Sequence, residues 1–99
     1  MPLGLRVVPS AEREIRDATA WWQVNRPAAK NLLHDELARG FELITNHPSI
    51  GAQAIDTQLG GVRRLLLYRI SYHLYYRVDQ DFVEVLAFWH TSLGQGPSL

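Results

Sequence analysis

The apolar run FVEVLAFWH, at residues 82–90, contains an acid and a base that could act together in proton transfer. Glu84 and His90 are an even number of positions apart, and such side chains point to the same face of a β-strand. Cleavage of RNA by its own 2′-hydroxyl needs a base, an acid and cations that stabilise the charge developing on phosphorus. We expect Arg63 and Arg77 to supply those cations. The four residues therefore form a candidate catalytic set for a ribonuclease.

The two arginines belong to a cationic and aromatic segment, VRRLLLYRISYHLYYRV, at residues 62–78. It holds four arginines, one histidine, four tyrosines and no acidic residue. Strand periodicity predicts that part of this segment shares one sheet face with the acid and the base, opposite any covering helices. The side chains expected on that face are Arg63, Arg69, His73, Tyr75, Arg77, Glu84 and His90. Such a face could also bind a partner, because arginine and tyrosine are enriched where interfaces concentrate their energy.

A structural interpretation of the same residues stays open. The uncovered face of a two-layer fold is expected to be polar. Cross-strand Arg–Glu and Arg–Tyr neighbours stabilise such a face by about 0.2–1 kcal/mol each. In this interpretation Glu84 is the partner of a neighbouring arginine, and His90 is a hydrogen-bonded structural histidine.

The composition narrows the remaining classes of function. Ten basic and ten acidic side chains cancel, which weakens any proposal of strong nonspecific nucleic-acid binding. There is no cysteine, and the four histidines show no ligand spacing, so we expect no metal site. No glycine-rich loop leads from a strand into a helix, so we expect no cofactor. The sequence shows neither a signal peptide nor about 18 consecutive apolar residues, which predicts a cytoplasmic protein without membrane contact.

The first half of the chain carries the periodicity of two helices. After a short strand in LGLRVVP, Ser10 is expected to cap a helix whose apolar face is formed by Ala11, Ile15, Ala18 and Trp22. Trp22 is expected to be buried, and Trp21 to lie near the rim. Pro27 is expected in the first turn of a second helix, because proline fits that position. The short connection predicts an antiparallel helical hairpin.

The second half changes to the period of strands. Residues 62–69, 72–78 and 82–90 predict three strands, the first two joined by a tight turn at residues 70–71. The order β-α-α-β-β-β predicts an α+β fold of two layers, with the helical hairpin packed on one face of a mainly antiparallel sheet. We expect a single domain over residues 1–99, with a mobile tail at 93–99. The core is expected to contain Ile15, Leu33, Leu37, Ile44, Leu74, Tyr76 and Val85.

Six short pieces, in order and at the right spacing, resemble one protein family. They are the first strand; Ala11, Ile15, Trp21 and Trp22; LITNHPSIG at 43–51; GVRRL at 61–65; YHLYYRV at 72–78; and VEVLAFWH at 83–90. Over about residues 4 to 90 the chain resembles the ParE/RelE family of toxins of bacterial type II toxin–antitoxin systems. The resemblance implies the two-layer fold, a toxic activity and a cognate ParD-like antitoxin, with which the toxin could form a hetero-oligomer.

The resemblance leaves the activity open, because ParE-like members poison DNA gyrase while RelE-like members cut mRNA on the ribosome. The neutral charge and the ending TSLGQGPSL, without the basic and tyrosine-bearing end typical of the nucleases, favour the ParE-like branch. We therefore favour a toxin that acts on gyrase by contact and is not an enzyme. A RelE-like mRNA endonuclease and a decayed homologue that binds an antitoxin without harm are the alternatives.

For a contact toxin, the cationic and aromatic side chains become binding residues. We expect an antitoxin or the target to contact Arg63, Arg69, His73, Tyr75, Arg77 and Leu93. Antitoxins of such systems fold on binding, which lets a flexible acidic segment cover an arginine surface.

Overall fold

Two helices and five strands make up the chain. The computed structural model describes residues 2–99. Its elements are β1 (Gly4–Val7), α1 (Pro9–Asn25), a 3-10 turn (Pro27–Ala29), α2 (Lys30–Asn46), β2 (Ala52–Gln53), β3 (Arg63–Leu67), β4 (Tyr72–Asp79) and β5 (Phe82–His90). The predicted α+β order is confirmed. It gains β2, which is two residues long and therefore too short to show a period of its own, and the 3-10 turn. Pro27 begins this turn and not, as predicted, the second helix, which starts at Lys30.

The strands form one open sheet in the order β1-β5-β4-β3-β2. β1 is parallel to β5, and the other neighbours are antiparallel. The chain leaves β1, forms both helices on one face, and returns to complete the sheet. This is the predicted two-layer arrangement. No helix within residues 2–99 is long and apolar enough to cross a membrane.

Helix α1 begins two residues earlier than predicted. Val8 occupies the N-cap position without a side-chain hydrogen bond, and Pro9 is the first helical residue. The predicted cap at Ser10 is therefore wrong. Proline fits the first helical position because its fixed φ is helical and its missing N–H would have no partner there. The helix ends at Asn25, and the Arg26 amide donates to the Trp22 carbonyl at 2.7 Å.

The main core lies between the helices and the sheet. Of the seven predicted core residues, Leu33, Leu37, Ile44, Leu74, Tyr76 and Val85 are buried in one cluster, and Ile15 packs against it. Gly40 sets how closely α2 approaches the sheet, since a Cβ there would lie 3.0 Å from methyl groups of Leu67 and Leu74. The predicted rotation of both helices is confirmed.

The turn between α2 and β2 is held by a side chain from the sheet. The hydroxyl of Tyr76 donates to the Pro48 carbonyl and accepts from the Gly51 amide, both at 2.8 Å. A Cβ on Gly51 would lie 2.7 Å from that hydroxyl and 2.9 Å from the carbonyl oxygen of Arg64. Glycine is thus required at this position to let the tyrosine close the turn.

The C-terminal tail packs against the sheet. It crosses the sheet face opposite the helices, where Leu99 packs against a second cluster formed by Val62, Tyr75, Leu86 and Ala87. The indole N–H of Trp89 donates to the Gln95 carbonyl at 2.7 Å, and the Gln58 amide donates to the Leu99 carbonyl at 3.0 Å. The mobility of residues 93–99 stays a prediction.

Candidate functional site

A bulge in β5 separates the proposed acid from the proposed base. Tyr75 of β4 pairs with Ala87, whereas the next residue, Tyr76, pairs with Val85, so Leu86 is an extra residue on β5. An extra residue in one strand shifts the alternation of its side chains. The even spacing between Glu84 and His90 therefore no longer places them on one face.

Glu84 and His90 consequently lie on opposite sides of the sheet. Glu84 pairs with Arg77 on the face away from the helices. His90 pairs with Tyr72, which packs against the main core, and the two rings meet edge to face at 4.9 Å between centroids. The predicted common face was wrong for this pair.

The arginine at the start of β3 also faces the helix side. Arg63 pairs with Tyr76 and donates to the Gly51 carbonyl at 2.7 Å and to the Ser49 carbonyl at 3.4 Å. Arg64, which was not among the predicted site residues, takes the place on the other face. The sequence indicates this orientation of the two arginines. Leu65 and Leu67 alternate in phase with Arg63 and belong to the core side, which leaves Arg64 on the opposite face.

The face away from the helices, which we call the open face, is largely neutralised by its own acids. Its ion pairs are Arg6–Asp79 at 3.2 Å, Arg64–Asp56 at 3.6 Å and Arg77–Glu84 at 3.1 Å. Each arginine on this face thus meets a carboxylate of the chain. Glu84 acts as the ion-pair partner of Arg77, as the structural interpretation expects.

Two predicted binding residues lie between these pairs. Tyr75 donates its hydroxyl hydrogen to Asp56 at 2.9 Å, and burial raises the pKa of Tyr75. His73 pairs with Trp89 across β4 and β5, and burial, aided by the charge of Arg64, lowers the pKa of His73. The lowered pKa favours the neutral form of His73. These groups present hydrogen bonds and aromatic surface rather than free positive charge.

Two arginines outside these ion pairs lie together at one end of the molecule. A depression of about 510 Å³ opens where the end of α1 approaches the β3–β4 turn and the end of β5. Its charged residues are Arg26 and Arg69, and its polar edge includes Ser71 and Ser92. No ion pair joins either arginine to a carboxylate within residues 2–99.

A second depression of about 270 Å³ adjoins the first. The two share the side chains Trp21, Tyr72, His90 and Leu93, so they form one groove, which we call the Trp21 cleft. The far end of this cleft is lined by Glu14 and Asp17. The cleft therefore has a cationic end, an aromatic middle and an acidic end.

The walls of the Trp21 cleft are held by packing and hydrogen bonds. Tyr72 stacks on Phe88 with ring centroids 4.2 Å apart, and burial raises the pKa of Tyr72. Nδ1 of His90 lies 2.7 Å from the Ser92 hydroxyl oxygen. Trp22 is buried and donates its indole N–H to the Ala29 carbonyl at 2.7 Å.

The rim of the cleft is formed by the other tryptophan. Trp21 is 50% exposed, and the Arg26 guanidinium lies 5.9 Å from the centre of one of its rings. The predicted roles of Trp21 and Trp22, at the rim and in the core, are confirmed. Of the predicted site residues, only Arg69, His90 and Leu93 come together in this cleft.

The described residues offer no evident site for a metal ion. Within residues 2–99 no group of three or more histidine, cysteine or acidic side chains is arranged to hold one. The chemistry available in the Trp21 cleft is the binding of apolar or aromatic groups together with carboxylates or other anions at the arginine end.

The fold defines a structural class that includes chains of several solved structures. The chromosomal ParDE system of P. aeruginosa contains a chain that superimposes with a TM-score of 0.74 at 16% identity, over 91% of this chain and 97% of that one. The RelBE2 toxin–antitoxin complex of Mycobacterium tuberculosis gives a TM-score of 0.63 at 21% identity, over 91% of this chain and 99% of that one. The YoeB dimer of Staphylococcus aureus gives 0.62 at 13% identity, over 91% of this chain and 98% of the other.

Sequence comparison identifies the family within this class. A family model described as the ParE toxin of the type II toxin–antitoxin system parDE matches residues 5–92. The chain therefore belongs to the ParE toxin family. A comparison with curated protein sequences gave no significant match.

Proposed function

We propose that this protein is the toxin of a ParE-type module, which inhibits DNA gyrase in the cytoplasm by protein–protein contact and is neutralised by a ParD-like antitoxin. The observation that carries the proposal is the match of the ParE family model over residues 5–92. The fold alone does not decide the activity, because one fold can host several functions. The arrangement of the candidate site residues supports contact rather than catalysis.

The separation of Glu84 from His90 argues against the acid–base pair that a nuclease would need. A general acid and a general base must both reach the reacting phosphate. Here the sheet lies between the two groups, and Glu84 is already bound to Arg77 at 3.1 Å. A toxin that blocks gyrase by contact needs no proton transfer from its own side chains.

The alternative of an mRNA endonuclease retains one supporting observation. His90 shares the Trp21 cleft with Arg26 and Arg69, so a base and two cations lie at the same end of the molecule. Such an enzyme would act at the ribosome and would use a carboxylate other than Glu84. The decayed homologue is the third possibility, and it would bind its antitoxin without inhibiting either target.

We assign antitoxin binding to the open face. His73, Tyr75 and Arg77 lie there at the centre of the sheet. An acidic antitoxin segment would compete with Glu84 for Arg77 and with Asp56 for Tyr75. The exchange of one carboxylate for another keeps each arginine paired, and the affinity would then come mainly from the apolar surface that is buried along with these groups.

The decisive experiment compares two purified systems. The toxin is added to DNA gyrase in a supercoiling assay, and to a cell-free translation system in which the integrity of the mRNA is followed. We expect inhibition of gyrase, intact mRNA and recovery of gyrase when the product of the adjacent short reading frame is added. Cleaved mRNA with unaffected gyrase would identify a nuclease instead, and activity in neither assay would identify an inactive homologue.

A further inference from the structure

The Trp21 cleft combines exposed apolar and charged side chains in one recess, whose larger part has a volume of about 510 Å³. The open face is covered in part by the tail, and its arginines are paired with acids. The cleft, in contrast, leaves Trp21 and Leu93 about half exposed, at 50% and 51%. Large apolar side chains exposed at one recess are typical of an interaction site.

The residue types in the cleft are those that dominate protein interfaces. Tryptophan, tyrosine and arginine are the side chains most enriched among interface hot spots. Trp21, Tyr72, Arg26 and Arg69 supply all three types within one groove. The Arg26 guanidinium also lies 5.9 Å from the centre of one ring of Trp21, within cation–π distance.

The charges of the cleft define the chemistry of its occupant. The end that holds Arg26 and Arg69 contains no acidic side chain, while the opposite end is lined by Glu14 and Asp17. A segment that fits both ends carries carboxylates beside a large apolar side chain, and a basic or hydrogen-donating group beyond it. Complementary charge of this kind fixes the direction in which a segment binds.

We propose that the Trp21 cleft is the surface by which the toxin holds its target, and that it receives an acidic segment of the target protein anchored by a large apolar side chain. This inference rests on the proposed function, because it takes gyrase as the target. It separates the two surfaces of the toxin: the antitoxin occupies the open face, and the target occupies the cleft.

Two variants test the cleft, and each has a matched control. Trp21→Ala removes the apolar anchor, and its control is Val24→Ala, which truncates a side chain on the same helix that is 79% exposed and does not line the cleft. Arg69→Glu reverses the charge at the cationic end, and its control is Lys30→Glu, which makes the same change at an exposed position of α2. Melting temperatures establish that all four proteins are folded.

The readout is the concentration of each protein that half-inhibits purified gyrase holoenzyme, together with its affinity for the antitoxin. We expect Trp21→Ala and Arg69→Glu to lose potency by about 30-fold, the effect of removing an interface hot spot. We expect both controls to stay within about twofold of the original protein, since exposed positions outside an interface contribute little. Antitoxin affinity should be unchanged in all four.

The possible failures are distinguishable. If the original protein does not inhibit gyrase, the proposed function fails. If it does inhibit, and the folded Trp21→Ala and Arg69→Glu proteins are as potent as their controls, the cleft is not the target surface and only this inference fails. Loss of antitoxin affinity in the same two variants would make the cleft an antitoxin site, which also overturns the inference.

Discussion

The carboxylate of Glu14 accepts a hydrogen bond from the backbone amide of Phe88 at 2.9 Å. The relationship is a consequence of how the sheet ends. Val7, the last residue of β1, pairs with Val85 of β5. Phe88 lies three residues further along β5, where β1 no longer offers a backbone acceptor for its amide. Helix α1 supplies the missing acceptor, and in doing so it places a carboxyl group in the acidic end of the Trp21 cleft.

Replacement of Glu14 should separate the role of the acceptor from that of the charge. Burial raises the pKa of Glu14, so the native state binds more protons than the unfolded state between the usual pKa near 4.5 and the raised native value. The free energy of unfolding should then fall as pH rises through that window, and the full loss of stability should be reached above the native pKa. Glu14→Gln keeps the acceptor oxygen and removes the charge, so we expect it to be at least as stable as the original protein at pH 7. This advantage should shrink on acidification toward pH 4.5.

The measurement is urea unfolding of Glu14→Gln and Glu14→Ala from pH 4 to pH 8. Glu14→Ala leaves the Phe88 amide without its acceptor and should cost about 1–3 kcal/mol across that range. Equal losses in the two variants would mean that the charge, rather than the oxygen, holds the contact.

Glu84→Gln tests whether the acid of β5 takes part in chemistry. A general acid–base group contributes about 10²–10⁴-fold, so a nuclease that used Glu84 for proton transfer would lose nearly all toxicity on this change. In a contact toxin the change weakens only the pair with Arg77, which is partly exposed and worth at most about 1 kcal/mol. We expect growth arrest to be unchanged and the melting temperature to fall slightly. A folded Glu84→Gln protein that no longer arrests growth would support the nuclease.

The C-terminal end contains two features that deletion and substitution can distinguish. Leu93 lines the Trp21 cleft, whereas residues 95–99 cross the open face, where Leu99 packs against its apolar cluster. Removal of residues 95–99 should lower the free energy of unfolding by about 1–2 kcal/mol, because it exposes the surface that Leu99 covers. Leu93→Ala should leave stability within about 0.5 kcal/mol, since the side chain is half exposed.

The potency of the same two proteins against gyrase should show the reverse order. We expect Leu93→Ala to be weaker against gyrase than the original protein, and the shortened protein to be unaffected below its melting temperature. A shortened protein that is stable but harmless would locate the target contact on the tail instead of in the cleft.

The helices were predictable from sequence because their period samples many residues. Ala11, Ala18 and Trp22 on α1, and Leu33 and Ile44 on α2, repeat the same apolar face over several turns, so one misplaced residue does not change the result. The start of α1 was predicted wrongly because two neighbouring residues both favour a helix start. Ser10 is a good N-cap residue, but Pro9 is equally suited to the first helical position.

The site was less predictable because strand faces depend on single residues. A period of two is inverted by one extra residue, and nothing in FVEVLAFWH identifies Leu86 as that residue. The packing of the tail could not be predicted for a related reason. Leu86 and Ala87 both face the cluster under the tail, an apolar patch that appears only once the bulge has formed. The position of Arg64 on the open face could have been predicted, since Leu65 and Leu67 belong to the opposite, core-facing side.

The last prediction concerns the antitoxin and uses two arginines on opposite faces of the sheet. Arg77 lies on the open face beside Glu84, whereas Arg63 bonds to the carbonyls of Ser49 and Gly51 on the helix side. If the open face receives an acidic antitoxin segment, Arg77→Glu places two acids together and repels that segment. We expect the affinity for the antitoxin to fall by at least about tenfold and to become less sensitive to salt.

Arg63→Glu is the matched variant, because it reverses the same charge outside the proposed contact. It removes the donor to the turn at residues 49–51, so we expect lower stability, by about 1–3 kcal/mol, with little change in antitoxin affinity. Titration calorimetry at two salt concentrations measures both proteins against the product of the adjacent short reading frame. Unchanged affinity of Arg77→Glu would exclude the centre of the open face as the antitoxin site. The edge of β3 beyond β2 would then be the next candidate, because β2 pairs only with Arg63 and Arg64, and Leu66 is 48% exposed. A strand edge of that kind can accept an added strand, whose backbone hydrogen bonds would not depend on either arginine.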